Sequence, residues 1–496
     1  MVVVNTIQIR LQGKRHRILE ARKKIRKPSD TTPFPSAIYQ NNTLLTNKEE
    51  IKNAIKTYYR EVSEGKDKEA EEFRKAFPHQ KTQQPDTLET NKQQQLTPIT
   101  LDKLRHAIQK LKSNKKGGPD GLTAECFKNL PENMIQNLLL LFEAASRLKI
   151  TPKIWQNNFV KLIFKKGETT DISNYRPIAL LNTIFKLWET ILFHKLQEEL
   201  NLPEIIESAQ FGSQKGKGSI DAILSINLIK EANSHLPLYT ATIDLSKAYN
   251  RVNRDKLWKK LKELGVSSGL LQAIQSTYQF HSEIYKIGDD TTSPNYLKKG
   301  LRQGSVLSPI LFVIYVNDLL NSIQNSQEGI FAAEVQIHKS LTGLMFVDDL
   351  HILSNSIEGI RNILQILIKH VQKEDIIINL KKSAIYLDKK QQKQEGLVAQ
   401  IKSCNTLKHL RIKNKGSYLG AETRPTKMAT YQQIRARSAK AHAAHSEMTI
   451  RGFNQHNLGR TTITKILNSI IAPILTYGLE AFPLKKTDYE LIDKTM

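Results

Sequence analysis

Two adjacent acids, Asp348 and Asp349, stand between two strand-like apolar runs. This pattern predicts a tight β-hairpin with both carboxylates at its tip. Charge held between apolar segments is costly unless a cation compensates it, so the pair is a candidate metal site. A second pair, Asp289 and Asp290, lies among turn-forming residues and needs no functional explanation.

A third acid, Asp244, ends a strand-like segment that runs from residue 239 and then turns into a helix-like one. Acids at the tips of two strands can converge on one edge of a sheet. Such a set can hold two Mg²⁺ ions about 3.5–4 Å apart, which activate an attacking hydroxyl and stabilise a leaving oxygen. Mg²⁺ prefers few carboxylates plus substrate phosphates, so a sparse set of acids is sufficient.

The chain that must position these acids has 496 residues, of which 39% are apolar, and this excludes a wholly disordered protein. Its net charge of +26 favours a polyanionic partner, either nucleic acid or an anionic membrane surface. Two cysteines exclude a disulfide framework. No stretch approaches the roughly 20 apolar residues of a membrane span, and the N-terminus does not resemble a secretory signal. We therefore expect an intracellular protein without a membrane partner.

The amino-acid composition changes along the chain and separates it into segments. Residues 10–27 carry nine Lys or Arg and one acid, which is typical of a nucleic-acid contact, a nuclear import signal or a solvated basic helix. Residues 48–77 form a charged, helix-like stretch whose mixed signs suggest exposure. Residues 80–95 are rich in Gln and are expected to be a linker. From residue 96, helix-like and strand-like patterns alternate without long linkers and predict one large α/β body.

Three segments in order along the chain resemble motifs A, B and C of reverse transcriptases: residues 243–249 (Ile-Asp-Leu-Ser-Lys-Ala-Tyr), 300–309 (Gly-Leu-Arg-Gln-Gly-Ser-Val-Leu-Ser-Pro) and 346–349 (Phe-Val-Asp-Asp). The second is most similar to the non-LTR (LINE-type) retrotransposon branch. Phe346 and Val347 depart from that branch, where Tyr and Ala are common. Further segments fit in order: 118–125 with the N-terminal motif, 160–167 and 174–178 with finger motifs, 379–383 with motif D and 417–420 with motif E.

The resemblance implies an α/β (α+β) right-hand polymerase with fingers, palm and thumb, preceded by a basic N-terminal extension. The expected divisions are a basic extension with a Gln-rich linker (1–98), the N-terminal motif and fingers (99–240), a palm with the primer grip and part of the fingers interleaved (241–425), and a thumb, complete or truncated (426–496). A basic thumb helix at 427–448 would grip a duplex through cations that include Arg435, Arg437 and Lys440.

The resemblance also assigns roles. Asp244, Asp348 and the backbone carbonyl of Leu245 would hold two Mg²⁺ ions, with Mn²⁺ as a substitute, and Asp349 would support them. The other assignments are the nucleotide-binding residues Lys165, Arg176, Tyr249, Gln303 and Gly304, the primer grip Tyr418, Leu419 and Gly420, and a general acid at Lys381 or Lys382.

Several of these roles have a physical rationale. Lys165 and Arg176 lie on two strand-like segments joined by a polar turn, where a β-hairpin can offer both cations to a triphosphate. Lys166 competes with Lys165, because adjacent strand residues face opposite sides. A Tyr249 ring packed under the sugar would clash with a ribose 2′-hydroxyl, and Gly304 would allow backbone to approach the templating base pair.

The implied function is RNA-directed DNA polymerase, which copies element RNA from the 3′-hydroxyl of a DNA primer or nicked target DNA with deoxynucleoside triphosphates. Two alternatives stay open: a group II intron-type reverse transcriptase with maturase function, and a catalytically inactive RNA-binding relic. A nuclear location with a cytoplasmic ribonucleoprotein phase is expected. The family's usual endonuclease has no room here, so we expect a fragment, a truncated element, or one that uses nicks made elsewhere.

Overall fold

The computed structural model describes residues 34–40, 43–78, 97–326, 328–329, 341–423, 430–450, 453 and 459–495. The basic stretch at 10–27 and the Gln-rich linker at 80–95 lie outside these residues.

The first described segment packs into the body of the protein. It comprises β1 (Ile38–Gln40), β2 (Thr43–Leu45), α1 (Lys48–Glu64) and α2 (Lys68–Ala76). Asn47 caps α1 by accepting the backbone N–H of Glu49 at 2.8 Å. One face of α1 is buried in a cluster with residues of three later strands, and Tyr59 stacks on Tyr285 at 5.0 Å between ring centroids. The expectation that residues 48–77 are exposed is therefore wrong, because the apolar residues at helical spacing outweigh the mixed charges.

The segment predicted as fingers follows in the chain and contributes to a five-stranded sheet with helices around it. The elements in this part are α3 (Leu101–Lys110), α4 (Ala124–Lys128), α5 (Glu132–Leu148), α6 (Lys153–Gln156), β3 (Asn158–Phe164), β4 (Tyr175–Leu181), α7 (Thr183–Glu199), α8 (Leu202–Ile205) and α9 (Ser219–Ala232). β3 and β4 form an antiparallel hairpin, with Ile163 opposite Arg176. Gly118 lies so close to Asn182 that a Cβ would overlap its backbone, which fits the glycine turn to the start of α7.

The next segment begins the palm and then returns to the fingers. It consists of β5 (Tyr239–Asp244), α10 (Ala248–Arg251), α11 (Arg254–Glu263), α12 (Ser268–Ser276), β6 (Ser282–Ile287), β7 (Asp290–Thr291) and β8 (Asn295–Tyr296). β6 pairs with β3 in parallel, so the finger sheet has the order β4-β3-β6-β7, with β8 also on β6. The finger sheet is thus completed by strands that follow the first palm strand in sequence.

The segment predicted as palm contains a second five-stranded sheet backed by two long helices. Its remaining elements are α13 (Ser308–Gln324), β9 (Gly343–Phe346), β10 (Asp349–Ser354), α14 (Ile357–Lys373), β11 (Ala384–Tyr386), α15 (Lys389–Gln392), α16 (Glu395–Ser403) and β12 (Arg411–Lys413). The strand order is β12-β11-β5-β10-β9, which places β5 in the centre beside β10. α13 is buried along most of its length in the main hydrophobic core, which also receives the apolar face of α14.

A hairpin and a helical layer close the chain: β13 (Gly416–Tyr418), β14 (Ala421–Thr423), α17 (Thr430–Ile450), α18 (Arg460–Ile466), α19 (Ala472–Thr476) and α20 (Lys486–Thr495). Ile471 and Leu475 pack against Ala441 of α17. By length and composition alone, the helical stretch Arg460–Ala481 could cross a membrane, so the expectation that no stretch approaches that size is wrong by this criterion. Core helices of globular proteins pass the same test, so the finding is weak evidence for a membrane span.

Candidate active site

The paired acids lie at a two-residue hairpin turn, as the sequence predicts. β9 ends at Phe346 and β10 begins at Asp349, and these two residues are partners in the antiparallel register. Val347 and Asp348 form the loop, and Val347 has φ of 59°. A β-branched residue in the left-handed region is strained, and such strain persists only where the surroundings hold it.

The third acid is the direct neighbour of this turn. β5 and β10 are antiparallel, and their register pairs Asp244 with Asp349. Residues opposite each other on adjacent strands lie about 4.5–5.5 Å apart at Cα or Cβ. The palm sheet therefore brings together the three predicted acids at one edge.

A buried glutamine that the sequence prediction missed holds the strained turn. The Oε1 atom of Gln210 accepts the backbone N–H of Val347 at 2.9 Å and that of Gly212 at 2.8 Å. On either side of this side chain, backbone bonds join Ala209 and Phe211 to Met345 of β9. A Cβ on Gly212 would lie 2.5 Å from the Val347 nitrogen, so only glycine allows this approach. The residues Gln-Phe-Gly are visible in the sequence ahead of a helix, but Val347, to which Gln210 bonds, lies 137 residues away.

Burial and mutual repulsion make the acids reluctant to ionise. Burial, with Asp349 and Asp244 nearby, raises the pKa of Asp348 to about 6. Burial and Asp244 also raise the pKa of Asp349, although Lys165 and Arg176 oppose this. Burial raises the pKa of Asp244 despite Lys382, whose Nζ lies 3.8 Å from Asp244 Oδ2. Three carboxylates that disfavour their own charge form a site that a cation would stabilise.

The donor set fits a hard divalent cation that keeps other ligands. Within the described residues no group of three or more His, Cys, Asp or Glu side chains is placed to hold a metal ion by itself. Mg²⁺ commonly takes one or two carboxylates and completes its coordination with water and substrate phosphates, so an open set is suitable. The Asp244 carbonyl and the Ser246 N–H bond to the 377–379 segment. In this bridge pattern the carbonyl of Leu245 points away from that segment, which leaves it available as the predicted ligand.

The finger hairpin brings its cations toward the acids. The Lys165 N–H donates to the Asn174 carbonyl at 2.9 Å, which extends the β3–β4 ladder by one pair. Partial burial, Arg176 and Lys382 lower the pKa of Lys165, while Asp244 and Asp348 act in the opposite sense. Arg176 in turn acts on Asp348 and Asp349. Lys165 and Arg176 therefore both face the acidic edge, and Lys166 also acts on Asp244.

Tyr249 and the residues of motif B line the same region. The Tyr249 ring stacks on Phe312 of α13 at 4.8 Å, and burial and Asp348 raise its pKa. Gln303 donates through Nε2 to Asn250 Oδ1 at 3.0 Å. Gly304 has φ of 116°, and a Cβ there would lie 2.7 Å from the carbonyl oxygen of Ala179 in β4. The close backbone approach that Gly304 allows here is to the finger sheet, and its role at the templating pair stays a prediction.

The predicted primer grip connects the palm with the last helices. Leu419 and Gly420 form the β13–β14 turn, both with positive φ. Tyr418 is buried, and its hydroxyl donates to the Asp349 carbonyl at 3.4 Å. The turn is held from the other side by Arg437, which donates to the Gly420 carbonyl at 2.6 Å, and by Tyr477, which donates to the Leu419 carbonyl at 3.0 Å.

The prediction that Arg437 grips a duplex is therefore wrong. Its guanidinium is buried over the Tyr477 ring at 4.5 Å, so it is a structural contact and does not face a duplex. Arg435 and Lys440 are exposed on the same helix. Lys427 lies outside the described residues.

The two general-acid candidates differ in position. Lys382 lies beside Asp244, as given above. The Nζ atom of Lys381 forms an ion pair with Glu72 of α2 at 2.6 Å. Of the two, only Lys382 is at the acidic edge.

Comparison with known proteins identifies the family of the chain. The family described as reverse transcriptase (RNA-dependent DNA polymerase) matches residues 163–423, more than half of the chain. The chain therefore belongs to the reverse transcriptase family, whose members generally use divalent metal ions, and its fold is the right-hand polymerase fold. The matched range contains the three acids, the finger cations and the β13–β14 hairpin.

The curated relatives that it matches include an RNA-directed DNA polymerase and a Pol polyprotein of transposable elements. It is 29% identical over 47% of its length to a probable RNA-directed DNA polymerase from transposon BS of Drosophila melanogaster, and covers 26% of that protein. It is 27% identical over 52% of its length to a Pol polyprotein from the type-1 retrotransposable element R2 of Popillia japonica, and covers 35% of it. An apo telomerase structure from Candida tropicalis, truncated from its C-terminal domain, matches with a TM-score of 0.38 and 14% identity, over 64% of this chain and 63% of that one. The chain thus spans between a quarter and about a third of these two curated relatives.

Proposed function

We propose that this chain is the RNA-directed DNA polymerase of a non-LTR retrotransposon. The observation that carries the proposal is the pairing of Asp244 with Asp349 across adjacent strands, with Asp348 at the strained turn beside them. The proposed template is the element's own RNA, and the primer is a DNA 3′-hydroxyl, such as one at a nicked target. The proposed place of action is the nucleus, with a cytoplasmic ribonucleoprotein phase.

Different residues would contact the triphosphate, the sugar and the primer. Lys165 and Arg176 bind the triphosphate of the incoming deoxynucleotide, where Arg offers a bidentate fork and Lys a point charge. The stacked Tyr249 ring lies under the sugar and excludes a 2′-hydroxyl. Tyr418 ties the β13–β14 hairpin to the backbone of Asp349, so the primer end that this hairpin positions is held in register with the carboxylates.

The proposed reaction is one nucleotidyl transfer. The primer 3′-oxygen forms a bond to the α-phosphorus, the bond from that phosphorus to the bridging oxygen breaks, and pyrophosphate leaves. The 3′-hydroxyl gives its proton to solvent water, and Lys382 supplies a proton to the leaving pyrophosphate and is reprotonated from water. Mg²⁺, as two ions with Mn²⁺ as a substitute, would be held by Asp244, Asp348 and the Leu245 carbonyl and would neutralise charge on the reacting phosphate oxygens.

Primer extension on an RNA template tests the proposal. The purified chain should extend a DNA primer with deoxynucleotides and Mg²⁺, and Asp348→Asn should abolish extension because the carboxylate is lost. Asp289→Asn is the matched control, since Asp289 is an exposed turn residue in the same chain. RNA binding without extension by the unaltered chain would favour the inactive RNA-binding relic and overturn the polymerase proposal.

The basic stretch at residues 10–27 is proposed to bind template RNA. Because residues 34–78 pack into the body of the protein, the deletion that isolates this stretch is of residues 1–33. We expect the deletion to weaken RNA binding and to flatten its salt dependence, since fewer phosphates are neutralised. Unchanged affinity and slope would assign the stretch to another role, such as nuclear import.

A further inference from the structure

A set of contacts from α2 reaches the turn that follows the catalytic strand. Asp67 is the residue before α2, where its side chain makes no capping bond, and Glu69 lies in the first turn of α2. Both contact residues 246–251, which directly follow Asp244 and Leu245 in sequence. Both acids lie outside the 163–423 range that matches the family.

We propose that Asp67 and Glu69 are positioning residues of the polymerase site, which fix the motif A turn and thereby orient Asp244 and the Leu245 carbonyl. This inference rests on the proposed function. It adds that the catalytic site is completed by a helix upstream of the matched domain.

The first support is the conformation of Lys247. Its φ of 47° places a non-glycine residue in the left-handed region, which costs of order 1–3 kcal/mol. Three contacts hold its ammonium group: Asp67 Oδ2 at 2.9 Å, Glu69 Oε2 at 3.5 Å, and the Tyr58 ring at 5.0 Å to the centroid. All three partners come from α1 and α2. The strained residue is therefore fixed by the N-terminal segment.

The second support is a buried ion pair beneath the same turn. Arg251 is 2% exposed, and its Nη2 lies 2.6 Å from Asp67 Oδ1. The Nε atom of Arg251 donates to the Ser246 carbonyl at 2.9 Å, so one guanidinium joins Asp67 to the turn. Burial opposes ionisation of Asp67, yet Arg251 and Lys247 lower its pKa, which keeps it charged at neutral pH. The Ser246 hydroxyl also donates to Glu69.

The third support is that α2 contacts the other segment beside Asp244. Asn379 donates through its backbone N–H to the Asp244 carbonyl at 2.8 Å, and its side chain donates to Glu69 at 3.4 Å. Two residues further, Lys381 is paired with Glu72. One helix thus contacts the segments on both sides of Asp244, and it holds Lys381 away while Lys382 faces the carboxylate.

Glu69→Gln is the first test variant, because its side chain is partly exposed and the amide keeps its size. Glu71→Gln is the matched control, since Glu71 is on the same helix and is paired only locally with Lys75 at 2.6 Å. Single-nucleotide extension would be measured at saturating deoxynucleotide, together with the apparent KM, the RNA Kd and the Tm. We expect Glu69→Gln to lower the maximal rate roughly 10- to 100-fold, the scale for a misplaced catalytic group, with Kd and Tm close to those of the control.

Asp67→Asn is the second variant, and its Tm is measured first because Arg251 would lose its buried partner. Where it folds, it should lower the maximal rate at least as much as Glu69→Gln. Rates equal to those of Glu71→Gln in both folded variants would overturn the positioning role. A rate loss that follows Tm alone would also overturn it, in favour of a purely structural role. If the unaltered chain itself fails to extend a primer, the proposed function fails, which is distinguishable from either outcome.

Discussion

The raised pKa of Asp348 predicts that this protein is more stable without this carboxylate, although it is the predicted metal ligand. In the folded chain the pKa is about 6, against an ordinary value of 3.8. The difference is about 2 pH units, and each is equivalent to about 1.4 kcal/mol, so ionised Asp348 costs the metal-free fold on the order of 3 kcal/mol. Asp348→Asn removes that charge. The variant should therefore unfold at a higher temperature at pH 8.

The pH dependence has a definite sign. Because the folded pKa lies above the unfolded one, the cost is complete above pH 6 and declines as the pH falls toward 3.8. The stability difference between Asp348→Asn and the unaltered protein should therefore shrink from on the order of 3 kcal/mol at pH 8 to about half of that at pH 5. Thermal or urea unfolding in the presence of a chelator measures both values.

A control variant and the addition of Mg²⁺ test whether the stability change comes from the charge of Asp348. Asp289→Asn, in an exposed turn, should change stability by no more than about 0.5 kcal/mol at either pH. Adding Mg²⁺ should stabilise the unaltered protein more than Asp348→Asn, since a ligand that binds only the folded state raises its stability. If the metal-free variant proves equal to or less stable than the unaltered protein at pH 8, then burial does not raise the pKa of Asp348, and the electrostatic argument for a cation site is refuted.

Three other variants test the neighbours of the acids. Gln210→Leu leaves buried N–H groups without an acceptor, at about 1–3 kcal/mol each, so it should lower both Tm and primer extension. Gln272→Leu, at an exposed helix position, should change neither. Equal behaviour of the two variants would show that Gln210 does not hold the turn. Lys382→Ala should slow single-turnover extension more than Lys381→Ala, and equal effects would place the general acid elsewhere. Tyr249→Ala should raise ribonucleotide incorporation relative to deoxynucleotide incorporation in a competition assay, and an unchanged ratio would remove its role as a gate.

The acids could be predicted from the sequence because each is marked locally. Asp348 and Asp349 have apolar strands on both sides, and Asp244 ends a strand, so the period of the pattern gives the element and its tip. The register that pairs Asp244 with Asp349 could not be read in this way, because it depends on strand order. Similarly, the sequence assigns Lys165 with Lys166 as a competitor, and the hairpin register then puts Lys165 on the face that carries Arg176.

The contacts that hold the acids in place were missed for a different reason. Gln210 bonds to a turn 137 residues away, and Asp67 pairs with Lys247 across 180 residues. A long-range ion pair has no periodic signature, and the charges of α1 and α2 in isolation indicate a solvated surface. Only the buried face of α1, with Ile51 and Tyr59, carried a local signal of packing.

These contacts indicate that the folded polymerase unit begins upstream of residues 80–95. The Gln-rich stretch at 80–95 suggests a natural boundary, and a chain that starts after it would keep every motif of the family. It would also lose Asp67 and the Val62 carbonyl, the two groups of this segment to which the Arg251 guanidinium is bonded. The face of Tyr285 that stacks on Tyr59 would be exposed as well. Since net stability is typically 5–15 kcal/mol, the loss of this packing would be a substantial part of it before any effect on catalysis. The unit that folds and positions Asp244 therefore includes α1 and α2, although the family motifs all lie downstream of them.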